Sequence, residues 1–344
     1  MSDIRELSRW PVLVSPMAGG PSTPELVVAA GQAGAVGFLA AGYKTAAAMN
    51  AEIAAVRSAS DVPFGVNVFV PQASTADPAK LAAYIATLEG DSVRLQAPVG
   101  EPAWDDDAWA AKIESLLAAP PPLVSFTFGC PPAETVAAFR DRSALVAITV
   151  TSPDEARMAA AAGVDYLCAQ GFEAGAHRGT FANDERPGQD HGLLALIGEI
   201  SQVTDVPVIA AGGIAGPRGV AAVLAAGAAA AQLGTAFLRC PESGARQAHK
   251  DALADPRFIT TAITRAFTGR RARGLVNQFM IDHPDAPPAY PEVHHATRTL
   301  RAAAAAAGDP DRLNLWAGQA YRAARDQSAG EIIERLTPGA KRNY

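Results

Sequence analysis

The segments VIAAGGIAGP (residues 208–217) and AAAQLGT (residues 229–235) decide the fold of this chain. Each is a short apolar run that ends in glycine, and the first leads into Pro217, a residue type favoured in the first turn of a helix. Successive strand, turn and helix units are typical of a parallel sheet covered by helices. Glycine turns after the last two strands of an eight-stranded barrel form the usual phosphate site of that fold. The two segments therefore predict a phosphate site if six strands precede them.

Six similar runs do precede them, and most are continuously apolar, as expected for strands buried on both faces. The eight predicted strands are Val12–Ser15, Val36–Leu39, Phe64–Phe69, Leu123–Phe126, Leu145–Val150, Tyr166–Ala169, Val208–Ala211 and Ala229–Leu233. Alanine-rich amphipathic stretches separate them, so the pattern favours an α/β fold, a closed (β/α)8 TIM barrel. The alternative, an open Rossmann-type sheet, requires a GxGxxG turn after the first strand, where this chain has Pro16-Met17-Ala18-Gly19-Gly20.

Two segments depart from this alternation. Residues of about 89–122 contain several prolines and an acidic run, which predicts a surface excursion around one helix. Residues of about 250–312 are helical in pattern but interrupted by prolines, which predicts a mostly helical cap inserted before the last barrel helix, Ala329–Leu336. The predicted domains are a barrel of residues 1–250 plus 313–344 and a cap of residues 251–312.

The composition excludes several classes of protein. Of 344 residues, 49% are hydrophobic and 19% charged, which supports a large buried core rather than disorder. The net charge of −6 gives no basic surface for nucleic acid. Three cysteines without CxxC spacing argue against a disulfide framework or a zinc site, and a cytoplasmic location is expected. No signal peptide is visible, and the apolar stretch 206–238 contains Pro217 and Arg218, so no membrane span is expected.

Chemistry in such a barrel is expected where the strands end at their carboxyl side. Asn67 interrupts the third apolar run, so it is either a core amide or a ligand contact. The sixth run is followed by a loop of small residues that carries His177, between Gly175 and Gly179, and this placement favours a role in chemistry. The other histidines fall in helical or proline-rich stretches and are interpreted as surface or cap residues.

Taken together, these motifs resemble the nitronate monooxygenases, once called 2-nitropropane dioxygenases, in their class I branch. The resemblance runs from Pro11 to about Arg325. Its motifs are Pro16–Gly20, Val66–Phe69, Val124–Gly129, Gln170–Gly179, Ala211–Ile214, Gln232–Thr235, Arg265–Arg270 and Leu315–Gln319.

The resemblance implies an enzyme with flavin mononucleotide (FMN) that oxidises an alkyl nitronate, such as propionate 3-nitronate, with O2 to a carbonyl compound and nitrite. It implies that His177 is catalytic, binding, deprotonating or orienting the substrate. The cofactor contacts that it implies are Met17, Asn67, Gln170, Gly175, Gly213, Gln232, Leu233, Gly234 and Thr235. The expected partners are a small nitronate and O2, with no nucleic acid, no membrane and no metal, and a homodimer is left open.

Two positions depart from the family pattern. Ala176 replaces the second of two glycines before the histidine, and Thr127 stands where many relatives have a second histidine. Because threonine cannot act as a base near neutral pH, His177 is left as the main candidate. Two other functions stay open: an NAD(P)H-dependent FMN reductase for quinones or an enoyl thioester on the same barrel, and a barrel that binds flavin or phosphate without catalysis.

Overall fold

The computed structural model describes residues 3–184 and 190–337, and within these ranges it contains eleven strands and fourteen α-helices. The strands are β1 Val12–Val14, β2 Val36–Ala40, β3 Phe64–Phe69, β4 Leu123–Thr127, β5 Leu145–Val150, β6 Tyr166–Gln170, β7 Ala176–His177, β8 Val208–Ala211, β9 Ala230–Leu233, β10 Thr261–Thr264 and β11 Ala272–Leu275. The helices are α1 Ile4–Leu7, α2 Pro24–Gln32, α3 Ala46–Ala59, α4 Pro78–Thr87, α5 Glu89–Leu95, α6 Trp109–Ala118, α7 Ala133–Arg140, α8 Pro153–Ala161, α9 Leu193–Ile200, α10 Pro217–Ala225, α11 Gln247–Ala252, α12 Gln278–Asp282, α13 Glu292–Ala306 and α14 Ala329–Leu336.

Eight strands close into a parallel barrel in the order β1-β2-β3-β4-β5-β6-β8-β9, and β9 pairs with β1 through Leu13 and Gln232. The predicted TIM barrel is therefore confirmed, and all eight predicted strands are present within one or two residues of their predicted bounds. Helices α2, α8 and α10 each begin with proline, as their sequence signals indicate. Gly34, Gly163 and Gly227 follow helices with φ of +86°, +80° and +99°, a left-handed conformation that favours glycine.

The barrel has two apolar layers. Alternate strand residues such as Leu13, Phe38 and Ile209 fill its interior, and the residues between them pack against the helices outside. Helix α1 covers the amino-terminal end, where the Ile4 N–H donates to Tyr166 Oη at 3.1 Å. Because this end is packed and covered, the carboxyl ends of the strands are left for a site.

The cap differs in part from its prediction. Helices α12 and α13 agree with a mostly helical segment, but residues 251–312 also contain β10 and β11, which the sequence analysis does not predict. These two strands and β7 form an antiparallel sheet in the order β10-β11-β7. The division at residues 251 and 312 stays a prediction, and its barrel ranges include residues 1–2, 185–189 and 338–344, which lie outside the described residues.

The excursion before β4 also differs from its prediction, because it contains two helices, α5 and α6, rather than one. It packs against the cap where Leu95, Ala97 and Val99 contact an apolar cluster that includes Phe267 and Leu300. Within residues 3–184 and 190–337, none of the helices combines the length and apolar character that crossing a bilayer requires.

Candidate active site

A cavity of about 390 Å³ lies at the carboxyl ends of the barrel strands, beneath the cap. All ten residues that the sequence analysis assigns to the site line it: Met17, Asn67, Gln170, Gly175, His177, Gly213, Gln232, Leu233, Gly234 and Thr235. They come from five different strand ends, far apart in the sequence. The fold thus brings the predicted site residues together, although their individual roles remain predictions.

The two glycine turns line one part of this cavity. Gly212 and Gly213 have φ of +113° and +68°, so the turn after β8 requires residues without a side chain. Gly234 has an ordinary φ of −109°, and an added Cβ would lie 3.4 Å from Ser15. Within the described chain, the backbone N–H groups of Gly213 and Thr235 make no hydrogen bond. Both turns therefore present free backbone donors beside the cavity, as an anion site requires.

Asn67 in β3 is a buried amide with a divided role. Its Nδ2 donates to Ser125 Oγ at 2.8 Å and to Thr127 Oγ1 at 3.0 Å, both on β4. Its Oδ1 accepts no hydrogen bond from the described residues. The amide is consequently fixed at its nitrogen end by the barrel and lines the cavity, so its core role is present, and its contact with a ligand stays a prediction.

Gln170, at the end of β6, shapes the loop that carries His177. Its Nε2 donates to the His177 carbonyl at 2.9 Å, and its Oε1 accepts from the Gly179 N–H at 2.8 Å and from Arg178 Nη1 at 3.0 Å. Gln170 precedes this loop, and its amide bonds to three residues at the far end, so it restricts their position. Gln170 therefore positions His177, a role that the sequence does not reveal.

Two further positions in this loop are tightly constrained. A Cβ on Gly175 would lie 2.5 Å from the backbone nitrogen of Gly318, so the close approach of that segment requires glycine. Ala176, in contrast, has φ +62°, a conformation that costs a residue with a side chain about 1 kcal/mol. The pairing of β7 with β11 holds Ala176 in place opposite Arg273. The family's glycine at this position would be free of that cost.

His177 lies in an aromatic cage. Its ring centroid is 5.8 Å from those of Phe128 and Tyr290 and 5.6 Å from that of Trp316. Its Nε2 is 2.9 Å from Thr268 Oγ1. One face of the ring reaches the cavity, but the surrounding protein excludes most water. Burial, followed by the positive charges of Arg270 and Arg301, lowers the pKa of His177 from 6.5 to about 3. His177 is therefore neutral near pH 7, and it is a weak base.

The cavity also contains charged and titratable residues that the sequence analysis missed. Arg246, Arg298 and Arg301 line it, and no Asp or Glu is among its described lining residues. His249 and His294 line it as well, and both are buried. The interpretation of His249 as a surface or cap residue was wrong, whereas His294 does lie in the predicted cap, on the side that faces the cavity. No local pattern in the sequence marks these positions, because helices α11 and α13 reach the site only through tertiary packing. A cavity with this charge suits an anionic ligand.

A second cavity, of about 340 Å³, adjoins the first. The two share the side chains of Tyr43, Phe69, Phe128, His294 and Arg298. The hydroxyl of Tyr290 donates to that of Tyr43 at 3.1 Å. This shared wall thus consists of four aromatic rings and one arginine.

Proteins of similar sequence are nitronate monooxygenases. Residues 2–339 match the family model described as nitronate monooxygenase. The chain is 40% identical over 336 residues to the nitronate monooxygenase of Pseudomonas aeruginosa. The alignment covers 95% of each chain. It is 34% identical to a probable nitronate monooxygenase of Staphylococcus aureus, over 95% of this chain and 93% of the relative.

Two solved structures resemble this chain to different degrees. A nitroalkane oxidase from Streptomyces ansochromogenes superimposes with a TM-score of 0.94 at 48% identity, over 98% of this chain and 97% of that one. FabK from Thermotoga maritima superimposes less closely, with a TM-score of 0.72 at 26% identity, over 98% and 95% of the two chains. Both names in the closer comparisons, nitronate monooxygenase and nitroalkane oxidase, denote oxidoreductases, and the nitronate monooxygenases are generally flavin-dependent. On its sequence, its barrel and the residues around its cavity, the chain belongs to the nitronate monooxygenase family.

Proposed function

We propose that this protein oxidises alkyl nitronates, such as propionate 3-nitronate, with O2 and FMN, releasing a carbonyl compound and nitrite. The observation that carries the proposal is that a neutral, caged His177 lies in a cavity lined by three arginines and, among the described residues, by no carboxylate. A nitronate is an anion that has already lost its carbon proton, so it needs a positive environment and no strong base. The membership in the nitronate monooxygenase family supports the same activity.

The described residues fit FMN. The donors free at Gly213 and Thr235 suit the phosphate, because backbone N–H groups in glycine turns neutralise such an anion. Gly175 and Gly234 leave space for a planar ligand, and Met17, Gln232 and Leu233 line the same cavity. The amides of Asn67 and Gln170 suit the polar edge of the flavin ring. No dinucleotide fingerprint follows β1, which favours FMN over FAD.

When bound, the flavin supplies the electron transfer to O2. The protein holds the substrate. His177 binds and orients the nitronate, and Thr268 fixes the direction of its ring through the 2.9 Å contact at Nε2. Phe128, Tyr290 and Trp316 exclude water from one side of the substrate. The arginines of the cavity wall attract the anion before it reaches His177.

A direct assay tests this function. Purified protein, reconstituted with FMN, should release nitrite and consume O2 when it is given propionate 3-nitronate. Release of an adenine-containing flavin on denaturation would contradict the FMN assignment. A lack of nitrite from the flavin-loaded protein would contradict the nitronate activity.

The same preparation separates this function from that of a reductase. Mixed without oxygen with NADH or NADPH, an NAD(P)H-dependent reductase bleaches its flavin rapidly. We expect the visible absorbance of the flavin, followed by stopped flow, to persist with either nicotinamide and to fall only with the nitronate.

A further inference from the structure

His294 on α13 lies in the wall between the two cavities. Only 6% of its surface is exposed, and it lines both cavities. Its ring stacks on Tyr43, with centroids 4.0 Å apart and planes inclined by 6°. Tyr43 contacts Tyr290, which in turn contacts His177, so a chain of rings joins the two histidines.

A neighbouring arginine determines which nitrogen of His294 carries the proton. Nη2 of Arg301 lies 3.2 Å from His294 Nδ1, and a guanidinium can only donate hydrogen bonds. Nδ1 must therefore accept, which leaves the proton of the neutral ring on Nε2. Arg301 is itself fixed, because its Nε donates to Thr297 Oγ1 at 3.1 Å and its Nη2 to the His294 carbonyl at 2.9 Å.

The surroundings keep His294 neutral. Burial is the largest cause that lowers its pKa well below 6.5, followed by the charges of Arg301, His295, His177 and Arg298. The opposing carboxylates are engaged elsewhere, since Asp105 binds His295 and Asp107 pairs with Lys112. The titratable and charged groups that face His294 or its immediate neighbours are Tyr43, Asp105, Asp107, Lys112, His177, Arg246, Tyr290, His295, Arg298 and Arg301.

The Nε2–H of His294 makes no hydrogen bond to any described residue, although the side chain is largely buried in the cavity wall. A donor that lies in a cavity wall and has no partner among the described side chains is available to a ligand. The free donor in this wall suits an oxyanion, and so does the 390 Å³ cavity, where the described lining residues include no carboxylate.

We propose that His294 Nε2–H binds an oxygen of the nitronate group, and that Arg301 is the positioning residue that fixes its tautomer. This inference rests on the proposed nitronate activity. His177 and His294 then contact the substrate from two sides, joined by the Tyr290–Tyr43 hydroxyl pair. A nitronate, whose negative charge is shared by two oxygens, offers an acceptor to each histidine.

Substitution of His294 tests the donor. In FMN-loaded protein, His294→Phe keeps a ring to stack on Tyr43 and removes the N–H. We expect KM for propionate 3-nitronate to rise about tenfold to a hundredfold, as for the loss of a hydrogen bond to a charged group, with kcat less affected. His295→Phe is the matched control, because His295 binds Asp105 and does not line the 390 Å³ cavity. It should leave KM within about twofold of the wild-type value.

Arg301→Met tests the positioning role through the pH dependence. Without the guanidinium, Nδ1 no longer faces a donor and one positive charge is gone, so the pKa of His294 should rise although burial still lowers it, and the profile of kcat/KM against pH should gain an ionisation on the acid side. That ionisation should be absent from the wild type and from the double variant Arg301→Met/His294→Phe. A profile of Arg301→Met with the shape of the wild-type profile would overturn the role of Arg301.

Nitrogen-15 NMR of the histidine rings gives a readout independent of turnover. The His294 signals, identified by their loss in His294→Phe, should show the Nε2–H tautomer; an Nδ1–H tautomer would overturn the inference. An active wild type together with an unchanged KM in flavin-loaded His294→Phe would overturn this inference alone. An inactive wild type would overturn the proposed function and this inference with it.

Discussion

His177→Asn is the sharpest test of how the site works. We expect the substitution to leave flavin binding intact and to lower kcat/KM for a preformed nitronate by roughly 10²-fold. A positioned acid or base contributes roughly 10²–10⁴-fold, and the lower end applies because a nitronate needs no carbon deprotonation. The loss comes from the contact that His177 makes with the substrate while Thr268 holds its ring.

The pKa of His177 extends this prediction to the neutral nitroalkane. A fall from 6.5 to about 3 weakens the base by about 5 kcal/mol, at roughly 1.36 kcal/mol for each pKa unit. The wild-type protein should therefore oxidise the nitronate and act poorly on the freshly dissolved neutral form. The profile of kcat/KM for the nitronate should contain no ionisation of His177 between about pH 5 and 9.

Nitrite release on both substrate forms, with flavin content measured first, checks these expectations. His191→Asn is the control, because His191 pairs with Glu199 and does not line the cavity. Wild-type rates in a fully loaded His177→Asn protein would refute the role of His177. Equal wild-type rates on the two substrate forms would refute the argument from the pKa.

Two more predictions concern the cofactor and the fold. Gly213→Val should weaken FMN binding at least tenfold, about 1.4 kcal/mol, by equilibrium dialysis. Gly227→Val carries similar backbone strain at φ +99° away from the cavity, and equal losses of affinity in both variants would refute the phosphate site at Gly213. Burial lowers the pKa of His177 to about 3 and of His249 to about 4, so both are neutral when folded and protonate on unfolding below pH 6.5. The contribution of each neutral histidine to the free energy of unfolding is fully present above pH 6.5. It decreases as the pH falls, by about 2 kcal/mol for each histidine at about pH 5. Urea unfolding that gives equal free energies at about pH 7 and pH 5 would contradict this.

The barrel could be predicted because its signals are local. Most barrel strands are continuous apolar runs, and Gly34, Gly163 and Gly227 mark the turns where helices end. The resemblance to the nitronate monooxygenases implied the individual site residues, and their meeting follows from the barrel, because the carboxyl ends of all the strands lie at one face. His177 could be assigned to that face because it follows β6 by only a few residues.

What the sequence did not reveal depends on contacts between distant segments. Strands β10 and β11 lack an apolar run, since β11 includes Arg273 and Gly274, and the pairing of β11 with β7 spans about a hundred residues. His294 and Arg301 lie on a helix with no local mark of function. Their importance appears only when α13 packs over the barrel and brings them to the cavity wall.

Because β7 pairs with β11, two segments that are distant in the sequence have to be exchanged together in a chimera of related proteins. His177 lies opposite Ala272, and the Arg178 N–H donates to the Arg271 carbonyl at 2.8 Å, so the backbone of the cap holds the loop after β6. A chimera that replaces residues 261–275 alone with those of a relative would alter the register on which His177 depends. Recombination between members of the family should therefore preserve activity when residues 171–180 and 261–275 come from the same parent, and lose it when they come from different ones.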